Sequence, residues 1–328
     1  TYLLAGWARE QVCIYMCPWP RIQAAMFDED TLIVSYQRWR GEPRGRRFDL
    51  IAGTSIGAVL GLALAFEVPM NRLVRLFVEQ GPKVFSHRGL PSGAISRLID
   101  LSRSVMGPKY SGEALRDALE AEFGDHRLGD ALHPFVVPVV DVGRSRTKVF
   151  KTPHVPASEG DAAARIVDVA MAACAAPSYF PAVPIDGRLY ADGGLFAVAP
   201  DQVALHEAEH FAGIDLDRVS MLSVGTATSN YRPLEGADDP QAGAVSWLSD
   251  GRLVLTMIAA QQQHVQAMVE DRLGPRYLRL DADWPPEAGL GIDIASAEAA
   301  RTLTALAEDT LRRTKARPLA PFVGERRG

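Results

Sequence analysis

The chain alternates short apolar runs with stretches of helical period, and that alternation predicts its elements. Phe48–Ala52 (FDLIA) is a strand-length apolar run, followed by Gly53 and Thr54 and then by Ser55–Phe66 (SIGAVLGLALAF), which fits a buried helix. Met70–Gln80 and Ser111–Glu122 carry helical period; Met70, Leu73, Leu76 and Phe77 form one apolar face, and Ser111 marks a helix start. Phe135–Val142 and Lys148–Phe150 read as strands, although Pro138 cannot donate to a sheet ladder. Ile166–Ala176 is a small, apolar helix that stops at Pro177. Asp186-Gly187 predicts a turn, Leu189-Tyr190 a short strand, Gln202–Phe211 a helix and Val219–Val224 a core strand. A polar loop at 227–243 is the best internal boundary. A long helix Trp247–Leu273, a strand Tyr277–Leu280 and a final helix Ser296–Lys315, capped by Ser296, follow it.

Residues 1–47 show no clear period, and Arg38–Arg47 is a basic run with glycines and a proline that reads as a solvated loop. Strands interleaved with helices predict an α/β fold with helices on both sheet faces.

Charge and cysteine content narrow the function classes. With a net charge of -5, the chain lacks the basic footprint of a nucleic-acid binder. Contact with an anionic membrane then needs a local apolar or basic patch. Cys13, Cys17 and Cys174 are too few and odd in number for a disulfide framework, so the expectation is a reducing cytoplasm. Cys13 and Cys17 could be half a metal site, but no second Cys/His pair sits at a suitable distance, so a metal site is not expected. No signal peptide is evident at the start, and the most apolar stretch, Leu50–Phe66, is shorter than the ~20 residues that span a bilayer.

Two motifs carry chemistry. Gly53-Thr54-Ser55-Ile56-Gly57 is a G-x-S-x-G between a strand and a helix. Glycines let the backbone fold sharply enough to present the serine, and the helix N-terminus behind it favours developing negative charge. Of the histidines that could serve as its base, His206, His210 and His264 all fall in helical patterns, where a solvated histidine is the plainer reading. Asp192-Gly193-Gly194 offers another base: a carboxylate at a strand end, in hydrogen-bond reach of a serine hydroxyl, gives a dyad without histidine.

Taken together, FDLIAGTSIGA and VDVAMAACAAPSYFPAVPIDGRLYADGG resemble the patatin-like phospholipases, whose pattern joins a G-x-S-x-G serine, an A-P-x-x-F-P helix end and a D-G-G aspartate. The resemblance covers roughly residues 47–225 and implies a three-layer α/β/α fold with a mostly parallel central sheet. It implies a phospholipase A-type lipid acyl hydrolase without metal or cofactor, with Ser55 as nucleophile, Asp192 as base, and Gly53, Gly57, Gly193 and Gly194 shaping the turns. It further implies one such domain over 1–328, with about 227–328 as a helical extension packed on it, acting in the cytoplasm at the inner membrane surface on phospholipid.

The family's oxyanion loop, D-G-G-G-x-R-G, has here only Leu3-Leu4-Ala5-Gly6-Trp7-Ala8-Arg9-Glu10 as its counterpart, in which Gly6 and Arg9 match. An inactive lipid- or nucleotide-binding relative is therefore an alternative. KVFKTPH at Lys148–His154 and the Trp-bearing later helix look like bacterial members of the family, some of which cyclic nucleotides switch on in anti-phage signalling. That resemblance implies a cyclic-dinucleotide activator, although no nucleotide-binding motif is visible.

His206-Glu207-Ala208-Glu209-His210 is a competing H-E-x-x-H that could hold zinc with Glu207 as base, but it lacks an evident third ligand. Phe85 and Leu90, beside His87 and Arg88, are candidates for the rim of a substrate entrance.

Overall fold

The computed structural model describes residues 48–85, 107–227, 252–283, 295–314 and 322. The chain divides into two compact units, one of residues 50–212 and one of residues 213–328 with 1–49.

The first unit is built on a sheet with five strands among the described residues: β1 (Ile51–Ala52), β2 (Phe135–Asp141), β3 (Arg146–Lys151), β4 (Val183–Ile185) and β5 (Arg188–Asp192). Helix α1 (Ile56–Ala65) follows β1 at once, and every residue from Ala58 to Ala63 is buried or nearly so, as its unbroken apolar sequence demands. Helix α2 (Met70–Arg75) runs on through a π-helical turn, Leu76–Gln80. Helix α3 (Glu113–Phe123) begins after Gly112 rather than at Ser111, whose hydroxyl accepts from the Glu113 N–H at 3.3 Å. Helix α4 (Ile166–Ala173) exposes part of Asp168, which Arg116 of α3 binds at 2.8 Å. Helix α5 (Asp201–His206) continues as a π-helical turn, Glu207–Phe211.

The strand pairing decides where the chemistry can sit. Val142 N–H bonds Leu189 C=O, Gly53 N–H bonds Val136 C=O, and Thr152 N–H bonds Phe135 C=O. Alternation along a strand therefore turns the backbone groups of even-numbered β2 residues toward β1 and β5, and those of odd-numbered ones toward β3. Thus β1 and β5 share one edge of β2. Strand β1 runs parallel to it beside Phe135 and Val136, and β5 runs antiparallel beside Val139 to Asp141. Their C-terminal ends approach each other opposite Pro138. The proline that argued against a strand stands at the one position where a backbone donor would face the gap between β1 and β5, so its missing N–H leaves nothing unsatisfied.

The α/β class holds, and the pairing has a mixed pattern among the described strands. The helix-connected pairs β1–β2 and, in the second unit, β6 (Met221–Val224) with β7 (Tyr277–Leu280) are parallel. The hairpins β2–β3 and β4–β5 are antiparallel, since connections of a few residues can only reverse the chain, and the non-consecutive pair β2–β5 is antiparallel as well.

In the second unit, β6 and β7 are linked through helix α6 (Arg252–Leu273), and helix α7 (Ala297–Thr314) follows. Ser296 caps α7 by accepting from the Ala299 N–H at 3.1 Å, as its sequence predicts. Residues Trp247 to Gly251 of the expected long helix lie outside the described residues. No described helix is long and apolar enough to cross a membrane.

Candidate active site

Strand β1 delivers the chain into Gly53-Thr54-Ser55, and α1 starts directly behind it. Ser55 sits at φ 54° and ψ -125°, a conformation that L-residues adopt only under constraint. The constraint is visible. Thr54 Oγ1 donates to Ala197 C=O at 2.7 Å in a buried bond, and Gly57 N–H returns to Thr54 C=O at 2.9 Å. A Cβ on Gly53 would stand 2.1 Å from the Gly57 carbonyl oxygen, so only glycine allows the turn to close. Ser55 is thereby held at the N-terminus of a ten-residue helix, where the N–H of Ile56 belongs to the first turn and the helix dipole favours negative charge.

Asp192 arrives from the other direction, as the last residue of β5, paired with Val139. Its N–H bonds Ala175 C=O at 3.0 Å, and its carboxylate accepts from Gly194 N–H at 2.7 Å. Gly193 passes so close to β2 that a Cβ there would lie 2.1 Å from the Pro138 carbonyl oxygen. The tight passage lets the chain turn away and leaves the carboxylate beside the serine side chain, which acts to lower its pKa. Asp192 is 5% exposed. Burial pushes its pKa up from 3.8 to about 6, against the bonds from Gly194 and Ser55, which lower it. The Cys174 thiol nearby is pushed far up, first by burial and then by the charge of Asp192, and stays a neutral packing group.

The two residues singled out in the sequence, Ser55 and Asp192, are thus brought together, with Gly53, Gly57, Gly193 and Gly194 around them. Gly6 and Arg9 lie outside the described residues, as do His87, Arg88 and Leu90. Phe85 packs against Tyr110 and Phe180, with ring centroids 5.5 and 6.1 Å away, as part of an aromatic cluster.

The H-E-x-x-H segment has a different occupation. His206 and His210 stack at 4.9 Å, while Glu207 is 2% exposed and turns inward to an ion pair with Lys151 and to His154 Nε2 at 3.1 Å. His154 Nδ1 in turn lies 2.9 Å from Thr152 Oγ1, which accepts from Phe135 N–H at 2.8 Å. These partners hold the Glu207 pKa down against its burial, so the group is a fixed anion rather than a metal-site base. Among the described residues, no group of three or more His, Cys, Asp or Glu is placed to hold a metal ion. Sequence reading missed this network and the Thr54 anchor; Lys151 and His154 of KVFKTPH were visible, but not their partner.

The half-buried Ser55 and the buried Asp192 thus meet where a parallel strand, a sharp turn and a helix come together. The chain belongs to the patatin-like phospholipase family, whose model matches residues 23–205. It is 36% identical over 258 residues to a cGAMP-activated phospholipase of Pseudomonas aeruginosa, covering 78% of this chain and 74% of that protein. Against a cGAMP-activated phospholipase of Vibrio cholerae it is 31% identical over 287 residues, covering 82% of this chain and 80% of the other. A stretch of 46 residues is also 67% identical to Protein RdxB of Cereibacter sphaeroides, covering 14% of this chain and 10% of that protein, too small a share of either to carry a function.

Proposed function

We propose that the protein is a phospholipase A-type acyl hydrolase that works through a Ser55–Asp192 dyad and an acyl-enzyme. The observation that carries the reading is the approach of a strained, helix-backed Ser55 to a buried carboxylate whose pKa is raised to about 6. A base with a pKa just below ambient pH is deprotonated and still a good proton acceptor. Asp192 takes the hydroxyl proton as Ser55 Oγ attacks the ester carbonyl, the oxyanion develops toward the Ile56 N–H at the α1 N-terminus, and the protonated Asp192 hands its proton to the leaving alcohol. Water then attacks the acyl-enzyme with Asp192 again as base, releasing fatty acid and restoring Ser55.

The relatives' names, cGAMP-activated phospholipase, support the regulatory half of the proposal, in which a cyclic dinucleotide such as cGAMP switches the activity on. The proposal further takes this to be an antiviral response in which the protein acts from the cytoplasm at the inner membrane surface. A second reading, a lipid- or nucleotide-binding protein without turnover, is favoured by one observation: Leu3–Glu10 keeps only Gly6 and Arg9 of the family's Gly-rich oxyanion loop.

Fatty-acid release from phospholipid vesicles decides between them, measured with a panel of cyclic dinucleotides and with chelator. Hydrolysis that requires a nucleotide, ignores chelator and disappears in Ser55→Ala supports the first reading. Nucleotide or lipid binding without any release establishes the second.

A further inference from the structure

We propose that the side-by-side tips of the β2–β3 and β4–β5 hairpins form the surface by which this protein docks on an anionic bilayer. The inference rests on the reading that bilayer phospholipid is the substrate.

Pairing of β2 with β5 brings the two tips together, and Val142 N–H donates to Leu189 C=O at 3.0 Å across the join. Val142 and Leu189 are 39% and 48% exposed, and Pro184, paired with Leu189 across the β4–β5 hairpin, is exposed as well. Such side chains at the outermost point of a sheet contribute nothing to its core. The same two tips carry Arg144, Arg146 and Arg188, all exposed; Arg144 lies 3.7 Å from the buried Asp141, and Arg146 and Arg188, which register places on the other sheet face from Val142, Leu189 and Pro184, have no ion pair among the described residues. The one exposed acid in the two turns is Asp186.

In a chain of net charge -5, three arginines on the same two tips as three exposed apolar groups make a local exception of the kind an anionic lipid surface recognises: guanidiniums meet phosphates while short apolar side chains enter the headgroup boundary. A nucleic acid would use the cations but would gain nothing from Val142, Leu189 and Pro184, which is why a bilayer is the better occupant. The tips are also preorganised. Asp186 and Gly187 have φ of 48° and 73°, a type I′ turn whose shape matches strand twist, so docking orders little that is not already ordered.

The position fits the chemistry. Because β1 runs parallel to β2 and ends beside Val136, Gly53–Ser55 leaves it heading toward the end of β2 that bears the tip. Leu189 is three residues from Asp192 along β5, about 10 Å at strand rise, so a docked tip holds the dyad about one headgroup layer from the membrane.

The test is sedimentation of the full chain with sucrose-loaded phosphatidylcholine vesicles, with and without phosphatidylglycerol, in the presence and absence of cGAMP. The parent is expected to prefer the anionic vesicles. The triple variant Arg144→Gln/Arg146→Gln/Arg188→Gln loses about fivefold in partitioning per arginine, roughly 100-fold in all, and Val142→Ser/Leu189→Ser weakens binding to both vesicle types. Circular dichroism confirms that both variants fold, and hydrolysis of a water-soluble short-chain ester by them matches the parent while vesicle hydrolysis falls. Equal partitioning of the parent and the triple variant, or no preference of the parent for anionic vesicles, overturns the proposal. So does binding of a single-stranded RNA that needs the arginines when vesicle binding does not. A parent that hydrolyses no ester defeats the enzymatic reading alone, and vesicle partitioning still decides the docking surface.

Discussion

Asp192 and Glu207 are two buried carboxylates of one folded unit, and their surroundings drive them in opposite directions. Asp192 has a backbone N–H and a serine hydroxyl for company and no cation among the described residues, so burial wins and its pKa rises to about 6. Glu207 has Lys151 and His154, and although burial is the largest single influence on it, those partners together bring its pKa below 4.5. A carboxylate denied a counter-charge is left with affinity for a proton, which a base needs; one given a cation and a histidine becomes part of the frame. The sequence offered both as catalytic candidates, one in D-G-G and one in H-E-x-x-H, and only the partners separate them.

The comparison can be broken most sharply at the nucleophile. Ser55→Ala is expected to reduce fatty-acid release by about 10⁴-fold or more while leaving the folded circular dichroism spectrum intact, and a variant that retains a tenth of the activity sinks the dyad. Asp192→Asn, which keeps the size and the Gly194 contact, is expected to cost about 10³-fold in kcat or more. The same change makes the protein more stable at pH 8 by about 1–3 kcal/mol, since it removes a buried charge whose pKa is raised by about two units. Reduced stability at pH 8, measured by urea unfolding, contradicts the electrostatic account of Asp192.

Glu207→Gln gives the mirror image. It strands Lys151 and His154 and is expected to cost about 3–5 kcal/mol in urea unfolding, with kcat of the folded fraction within about twofold of the parent. A collapse of kcat without loss of stability moves Glu207 into the catalytic machinery.

The pH dependences sharpen the contrast further. Between pH 3.8 and about 6 the folded protein keeps a proton on Asp192 that the unfolded chain has released, so this residue's contribution to stability falls as pH rises through that window. Glu207 does the reverse: its contribution is present above 4.5 and is lost as pH falls through the lower folded value. The rate kcat/KM is expected to rise with pH on an acid limb near 6, and the limb should vanish in Asp192→Asn. The smallest effect is expected from His206→Ala/His210→Ala, whose hydrolysis with and without chelator should match the parent; chelator-sensitive turnover that survives Ser55→Ala would restore the zinc reading.

Much of the site was legible because its signals are local. Glycines at 53 and 193 are demanded by a carbonyl oxygen 2.1 Å from where a side chain would begin, and Asp186-Gly187 names its own turn through two left-handed residues. Ser296 caps a helix with an oxygen three residues from the N–H it serves. What escaped was set at a distance. The segment Gln202–Phe211 has the period of a polar helix, yet Glu207 is buried because Lys151 and His154 come to it from the end of β3. Pro138 looked wrong for a strand because a sequence cannot show that its neighbours β1 and β5 stop on either side of it.

The sequence by itself determined the elements, the sharp turn that exposes Ser55 and the family, because backbone sterics, hydrophobic period and helix capping act over a few residues. Only the tertiary structure decided which carboxylate meets the serine, which one is neutralised by partners, and that Arg144, Arg146 and Arg188 of an acidic chain share two adjoining hairpin tips with Val142 and Leu189. Burial, pKa and surface potential are sums over neighbours in space, and strand pairing, not order along the chain, chooses those neighbours.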